Sequence, residues 1–427
     1  MGVAFDTTHV WINGVEVNTF SAADRFTRTT VWSPATIRWG TTDSLEPVTA
    51  STLSLRVTVP PGDPVPKWGQ WIEIQTEGVG VFSGRIDGAE REQVTLTDPR
   101  DGTEYDVTSV ELTASDELAT LGRIRLADQP WPEEGHLERV RRIEALLADR
   151  GVAVNIGTAG GVDMRARDVD AFPALDALTR SMAHTTAVLA CDGREVQDFY
   201  PPQPAILYYD PDAGGLAWVD HDQYLPLIEA GCLESGRRVL DTGSVVASVT
   251  VEHPEHDPDD PSGYVDRRTT IKRQSTENEY GPGGLRVTSD AIGDLTPLWD
   301  RAERILTARN TADWRIPSPV RVLLDQWSTG RTAALHMIWD KWRPGRPFRL
   351  LNGPDDLDPY HRVVGGELSL HGDTAQTELA LYTEPAANYA GESVSIATPS
   401  VEIPLSALAE ITFADARTIG RASIGTK

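Results

Sequence analysis

Imidazole and carboxylate groups crowd one short stretch of this 427-residue chain, residues 252–261, which read EHPEHDPDDP. His253 and His256 lie beside Asp257, Asp259 and Asp260, and nitrogen and oxygen donors of this kind ligate divalent cations. Three prolines interrupt the run, and its spacing matches neither a closed zinc site nor an EF-hand. A solvated acidic loop is therefore expected, with no metal or other cofactor assigned. Phosphate-cradling and nucleophilic signatures are also missing. Residues 157–161, GTAGG, lack the lysine of a P-loop and the G-x-G-x-x-G spacing of a dinucleotide site. Neither a G-x-S-x-G elbow nor an H-E-x-x-H pair occurs. A glycosidase needs two acids facing each other across a cleft. The adjacent Glu133 and Glu134 instead open a predicted helix, where negative charge favours the N-terminus. Asp300, Arg301, Glu303 and Arg304 are expected to alternate around a solvated helix face. Cys191 and Cys232 are too few for a disulfide scaffold, and two isolated buried thiols are expected. No catalytic residue is assigned, and the chain is read as not an enzyme.

Aromatic and basic side chains offer a different chemistry. Trp68 with Trp71, and Trp339 with Trp342, could line a sugar-binding surface or a subunit interface, where aromatics concentrate. Around the second pair, Arg343, Arg346 and Arg349 gather positive charge in a chain whose formal net charge is -25. These five residues, Trp339, Trp342, Arg343, Arg346 and Arg349, form the candidate interface. The overall acidity argues against a dedicated nucleic-acid binder, which would carry a basic stripe. An acidic wall could still let nucleic acid slide past without sticking.

The elements that must position these residues are mostly strands. HVWINGVEV carries an Asn13-Gly14 turn, and Leu53, Leu55, Val57 and Val59 alternate with period two. Short strands at this spacing suggest a barrel or split barrel. From Ser115, a predicted N-cap, the period becomes helical. Leu137, Val140, Ile143, Leu146 and Leu147 mark one helix, stopped by Gly151. Residues 172–193 predict a second, with Leu175, Leu178, Met182 and Val188 inward and Cys191 at its end. A third, over 294–310, turns Leu298, Ala302, Ile305 and Leu306 inward, with Ser289, Asp290 or Asp294 as caps. The fold class read is mainly β with an α+β insert. Its expected divisions are a β-barrel-like domain at 1–114, an α+β domain at 115–241, a second β-rich domain at 242–385, and an extension at 386–427. No apolar run is long enough to span a membrane, and the N-terminus lacks a basic-then-apolar leader.

Three stretches, in order along the chain, resemble the baseplate hub or minor tail proteins of long-tailed, siphovirus-like bacteriophages. That family is related to the central hub of contractile tails. The stretches are VFSGRIDGAE leading to VELTASDELATLGR, ALDALTRSMAHTTAVLACDGREVQDFYPP, and DLTPLWDRAERILTARNTADWRIPSPVRVLL. The resemblance spans about residues 10–385. It implies a virion structural protein of the tail tip, made in the host bacterial cytoplasm, whose barrel-like domains form a trimeric ring. The implied partners are further copies of itself as a homotrimer, the distal tail ring protein, the tape-measure protein, and tail fibre or tip proteins. Passing DNA would be contacted without sequence-specific binding. Two other readings stand beside it: a distal tail ring or receptor-binding adaptor, and a cell-wall-degrading tail enzyme.

Overall fold

The computed structural model describes residues 8–19, 26–31, 33–42, 46–76, 78–98, 100–126, 130–157, 161–168, 172–185, 187–199, 205–210, 215–220, 227–229, 239–240, 242–293, 295–310, 312, 314–315, 319–323, 347–351, 360–370 and 377–385. Within them the chain is a mixed α/β fold dominated by antiparallel sheet, with helical insertions.

The first sheet grows from eight strands: β1 (Thr8–Ile12), β2 (Val15–Thr19), β3 (Thr30–Val31), β4 (Ala35–Gly40), β5 (Thr52–Val59), β6 (Trp71–Thr76), β7 (Val79–Thr97) and β8 (Glu104–Ser115). Asn13 and Gly14 take φ of 53° and 78°, the left-handed pair that a two-residue hairpin turn requires, and join β1 to β2. Leu53, Leu55, Val57 and Val59 all enter the core, as their alternation predicts. Pairing runs from β5 through β3, β2, β1, β6, β7 and β8, and β8 pairs back onto β5.

The helix after β8 is α1 (Glu117–Arg123), and its N-cap is Asp116 rather than Ser115. One Asp116 oxygen accepts from Leu118 N at 3.0 Å and the other from Ser51 N at 2.9 Å, tying the helix start to the sheet. A second core follows, built from α2 (His136–Ala148), β9 (Ala153–Asn155), α3 (Ala174–Ser181), β10 (Val188–Asp192) and β11 (Glu195–Phe199). The expected 172–193 helix stops at Ser181. Val188 and Cys191 lie instead on β10, which the Asp192-Gly193 turn folds onto β11. A hairpin gives this β-branched stretch a strand partner, which overrides its weak helical period.

The third core belongs to β12 (Ser248–His256), β13 (Tyr264–Lys272), α4 (Gln274–Tyr280), β14 (Gly284–Thr288) and α5 (Thr296–Ala308). Leu298, Ala302 and Leu306 turn inward on α5 as predicted, whereas Ile305 is only partly buried. The cap differs from the expected Ser289, Asp290 or Asp294. It is Leu295, without a side-chain bond, followed by a proline in the first turn. A solvated acidic loop was expected over 252–261, yet β12 continues through Pro254 to His256. β14 pairs only as far as Glu252, so Pro254 faces no strand on its β14 side and its missing N–H costs no bond there.

The last strands are β15 (Val320–Val322), β16 (Pro347–Leu351), β17 (Tyr360–Leu370) and β18 (Thr377–Pro385). β17 pairs with β4 from Gly365↔Gly40 to Leu370↔Ala35. β15, β16, β17 and β18 therefore extend the first sheet rather than building one of their own. Their cores merge, with Val322, Leu368 and Leu381 in the same cluster as Leu53 and Ile72. Taken whole, this sheet is open and is not a closed barrel, because it runs out through β17 to β16 and β18. The joint is tight. Gly40 has φ of 67°, and a Cβ there would collide with the Val364 carbonyl oxygen. Gly40→Ala is expected to cost about 2 kcal/mol, from a strained left-handed alanine plus the clash. Urea unfolding checks this, and an unchanged midpoint would refute the account.

Candidate functional site

The polar groups that do the most in this molecule lie where the second and third cores meet. A small antiparallel ladder crosses the junction, with Glu134 opposite Met164 and Met164 opposite Ala291. Beside it the buried Glu134 carboxylate receives two guanidinium groups. Arg139 Nε donates at 2.6 Å, and Arg142 Nη2 at 2.7 Å. Arg139 is almost wholly buried, with its side chain 1% exposed. Its Nη2 donates to the carbonyls of Pro132 and Arg165 at 3.1 and 2.8 Å, and its plane lies over Trp131. Burial alone would raise the Glu134 carboxyl, but the hydrogen bonds from Arg142 and Arg139 hold it below its ordinary value. Arg165 and Arg167 both pair with the buried Asp290, and Arg165 also reaches Asp266 at 3.0 Å. Tyr264 OH donates to Glu133 Oε2 at 2.6 Å, and burial followed by that carboxylate raises the phenol.

A histidine pair sits at the same junction. His136 opens α2 and His184 follows α3. Both are buried, their rings meet edge to face with centroids 4.5 Å apart, and none of their ring nitrogens has a hydrogen-bond partner among the described residues. From α5, Arg301 Nη1 donates to Ala183 O at 2.6 Å. Burial, then the neighbouring His184, pushes His136 down to about 3. His184 falls to about 4 through burial, with Arg301 acting in the same direction. Both rings are neutral at neutral pH. Neutral imidazoles can ligate a metal, but among the described residues no three His, Cys, Asp or Glu side chains gather to hold one. This arrangement fixes two cores against each other.

The residues singled out in the sequence are scattered. Glu133 and Glu134 do not act on a helix terminus. The helix begins at His136. Glu133 reaches Tyr264 and His256 of the third core, while the Glu134 carboxylate is held by Arg139 and Arg142 of α2 itself. Arg301 was expected on a solvated face but is partly buried against Ala183. His253 is buried, with its Nδ1 3.3 Å from Pro254 O, while His256 reaches Glu133 at 3.3 Å, so the two point to different neighbours. Asp257 and Asp260 accept turn bonds from Asp259 N and Ser262 N, which makes this stretch a hairpin connection. Trp71 is buried under the guanidinium groups of Arg85 and Arg194. Trp68 is 74% exposed. Trp339, Trp342, Arg343 and Arg346 lie outside the described residues. Arg349 falls on β16, where only its backbone pairing to Leu227 and Tyr360 is described. Sequence reading missed His136, Arg139 and His184, and read Asp290 as a helix cap rather than as the partner of Arg165 and Arg167. The signal for Arg139 was its place beside the inward-facing Val140 and Ile143, where a solvent-facing arginine does not belong.

One surface is open to partners. β7 has 19 residues against six in β6, so its far half runs past that neighbour. From Ala89 to Thr97 it pairs only with β8 among the described residues, and Ala89–Gln93 are exposed on both faces.

The overall architecture is shared with two solved structures. One is the 43 kDa tail protein of prophage MuSo2 from Shewanella oneidensis, with 11% identity and a TM-score of 0.55, covering 89% of this chain and 98% of that one. The other is the tail protein from Neisseria meningitidis MC58, with 15% identity and a TM-score of 0.55, covering 88% and 96%. Neither a family description nor a curated protein matches the amino-acid sequence. At these identities the likeness is one of fold alone.

Proposed function

We propose that this chain is a structural hub of a phage tail tip, a virion protein forming a homotrimeric ring that joins the tail tube to tip or fibre proteins and lets the genome pass. The observation that carries the reading is the fold shared along nearly the full length with two tail proteins. The strand circuit β5–β3–β2–β1–β6–β7–β8 supports a barrel-like ring segment. The ionic seam supports a rigid connection between cores, as a load-transmitting hub needs. Under this reading the partners are the distal tail ring, the tape-measure protein, and fibre or tip proteins. DNA passes without sequence-specific contact, which suits a chain of net charge -25.

Cryo-electron microscopy of the intact particle tests this directly. Three copies around the axis at the tail tip are the expected result, and density elsewhere in the tail would replace the reading with a distal ring or adaptor role. Trp339, Trp342, Arg343, Arg346 and Arg349 are proposed to contact neighbouring subunits. Reversing the three arginines to glutamate should keep the chain out of assembled particles. Normal incorporation would count against that contact.

A further inference from the structure

The far half of β7 is one strand of a two-stranded ribbon. Such a ribbon is marginal in water unless a third strand or a packed face supports it. Its strand-forming residues, among them Val94 and Leu96, pair across to Val107 and Tyr105. β5 pairs with β8 only as far as Thr108, so it gives no support beyond that point. The outer edge of β7 from Ala89 to Thr97 is thus a nine-residue row of amides and carbonyls with no strand beside it among the described residues. A second edge of the same length exists. β13, Tyr264–Lys272, pairs only with β12 among the described residues, and Asp266–Thr270 are exposed on both faces.

The two edges carry opposite charge. Residues 89–97 hold two acids, Glu90 and Glu92, and one base, Arg91, whereas residues 264–272 hold three bases, Arg267, Arg268 and Lys272, and one acid, Asp266. Glu90 and Glu92 share one face of β7 by the two-residue period, and both are exposed. On β13, Arg267 and Arg268 pair within their own sheet but keep side chains 52% and 65% exposed. Two unlike edges on one chain can join only head to tail, and head-to-tail contacts close into rings when the rotation permits.

We infer that copies of this chain associate by strand addition, the acidic outer edge of β7 in one copy pairing with the basic outer edge of β13 in the next. Main-chain bonds along about 30 Å give the contact its strength, and the charges set which edge meets which. This rests on the ring-forming hub reading and gives that ring an interface.

The test uses the purified full chain, with native mass spectrometry for stoichiometry and hydrogen exchange over 89–97 and 264–272. The expected result is an assembly in which both segments slow together as concentration rises. E90K/E92K should weaken association at least tenfold, and adding K272E should recover part of it. An assembly that ignores E90K/E92K, or in which either segment keeps exchanging freely, overturns the interface while leaving the hub intact. Slow exchange of 89–97 in the monomer also overturns it, since the edge would then be covered by its own chain. A monomer at every concentration removes both the interface and the trimeric hub.

Discussion

Glu134→Ala should lower stability by about 4 kcal/mol, in the range found when one member of a buried ion pair is removed. Arg142 is 39% exposed and can turn to water once its partner is gone. Arg139 has no such escape. Its side chain is 1% exposed, and its guanidinium would be left with two carbonyls and an aromatic face but no counter-charge. The coupled replacement Glu134→Leu with Arg139→Met removes both charges and should recover most of the loss, because apolar groups of similar volume commonly replace a buried pair at little net cost. Urea denaturation of the three proteins decides the matter. A loss under 1 kcal/mol in Glu134→Ala would show that the seam is wet or slack.

Acid should loosen the same junction, through the histidines before the carboxylate. Unfolded histidines take up a proton near pH 6.5, whereas folded His136 and His184 do so only near about 3 and about 4. Their folded values are depressed, so the unfolded state binds more protons once pH falls below 6.5. Their contribution is fully present above that point and is lost on the way down to about 4. Two groups give a slope near ~2.7 kcal/mol per pH unit once the unfolded rings are charged, or about 2 kcal/mol between pH 6 and pH 5. Arg301 is the charged group that faces the pair from α5, and it cannot relieve an imidazolium. The double variant His136→Phe/His184→Phe should keep the edge-to-face packing and flatten this slope. Melting temperatures from pH 7 to pH 4.5 give the readout, and a wild-type curve flat across that range would sink the idea. Glu134 acts lower, since its carboxyl is depressed and its contribution fades only below the ordinary carboxylate range.

Local patterns were legible in the sequence where a single element decides the outcome. The Asn13-Gly14 turn, the alternation of Leu53 to Val59, and the burial of Val140, Ile143 and Leu147 on α2 and of Leu298, Ala302 and Leu306 on α5 follow from residue spacing and backbone preference, whereas Leu137, Leu146 and Ile305 are only partly buried. What escaped were choices made by distant partners. Val188 joins a strand because β11 is available to it. Pro254 stays in a strand because β14 ends before reaching it. Arg301 leaves the solvent because Ala183 offers a carbonyl. The junction was invisible for the same reason: Glu134, His136, Met164, His184, Asp290 and Arg301 are spread over more than 160 positions, and only the packed fold makes them neighbours.

The pairing of β4 with β17 sets the order in which the protein can be completed during synthesis. Arg38 and Glu367, which pair across that joint, are 329 residues apart. At ordinary translation speeds the ribosome needs roughly 15 to 70 s to make that length. Throughout that wait β4 has β5 on one side and nothing on the other, so the nascent sheet presents a bare template to any passing strand. A chain that terminates early never covers it. Only a chain translated through the far end of the first sheet covers that edge.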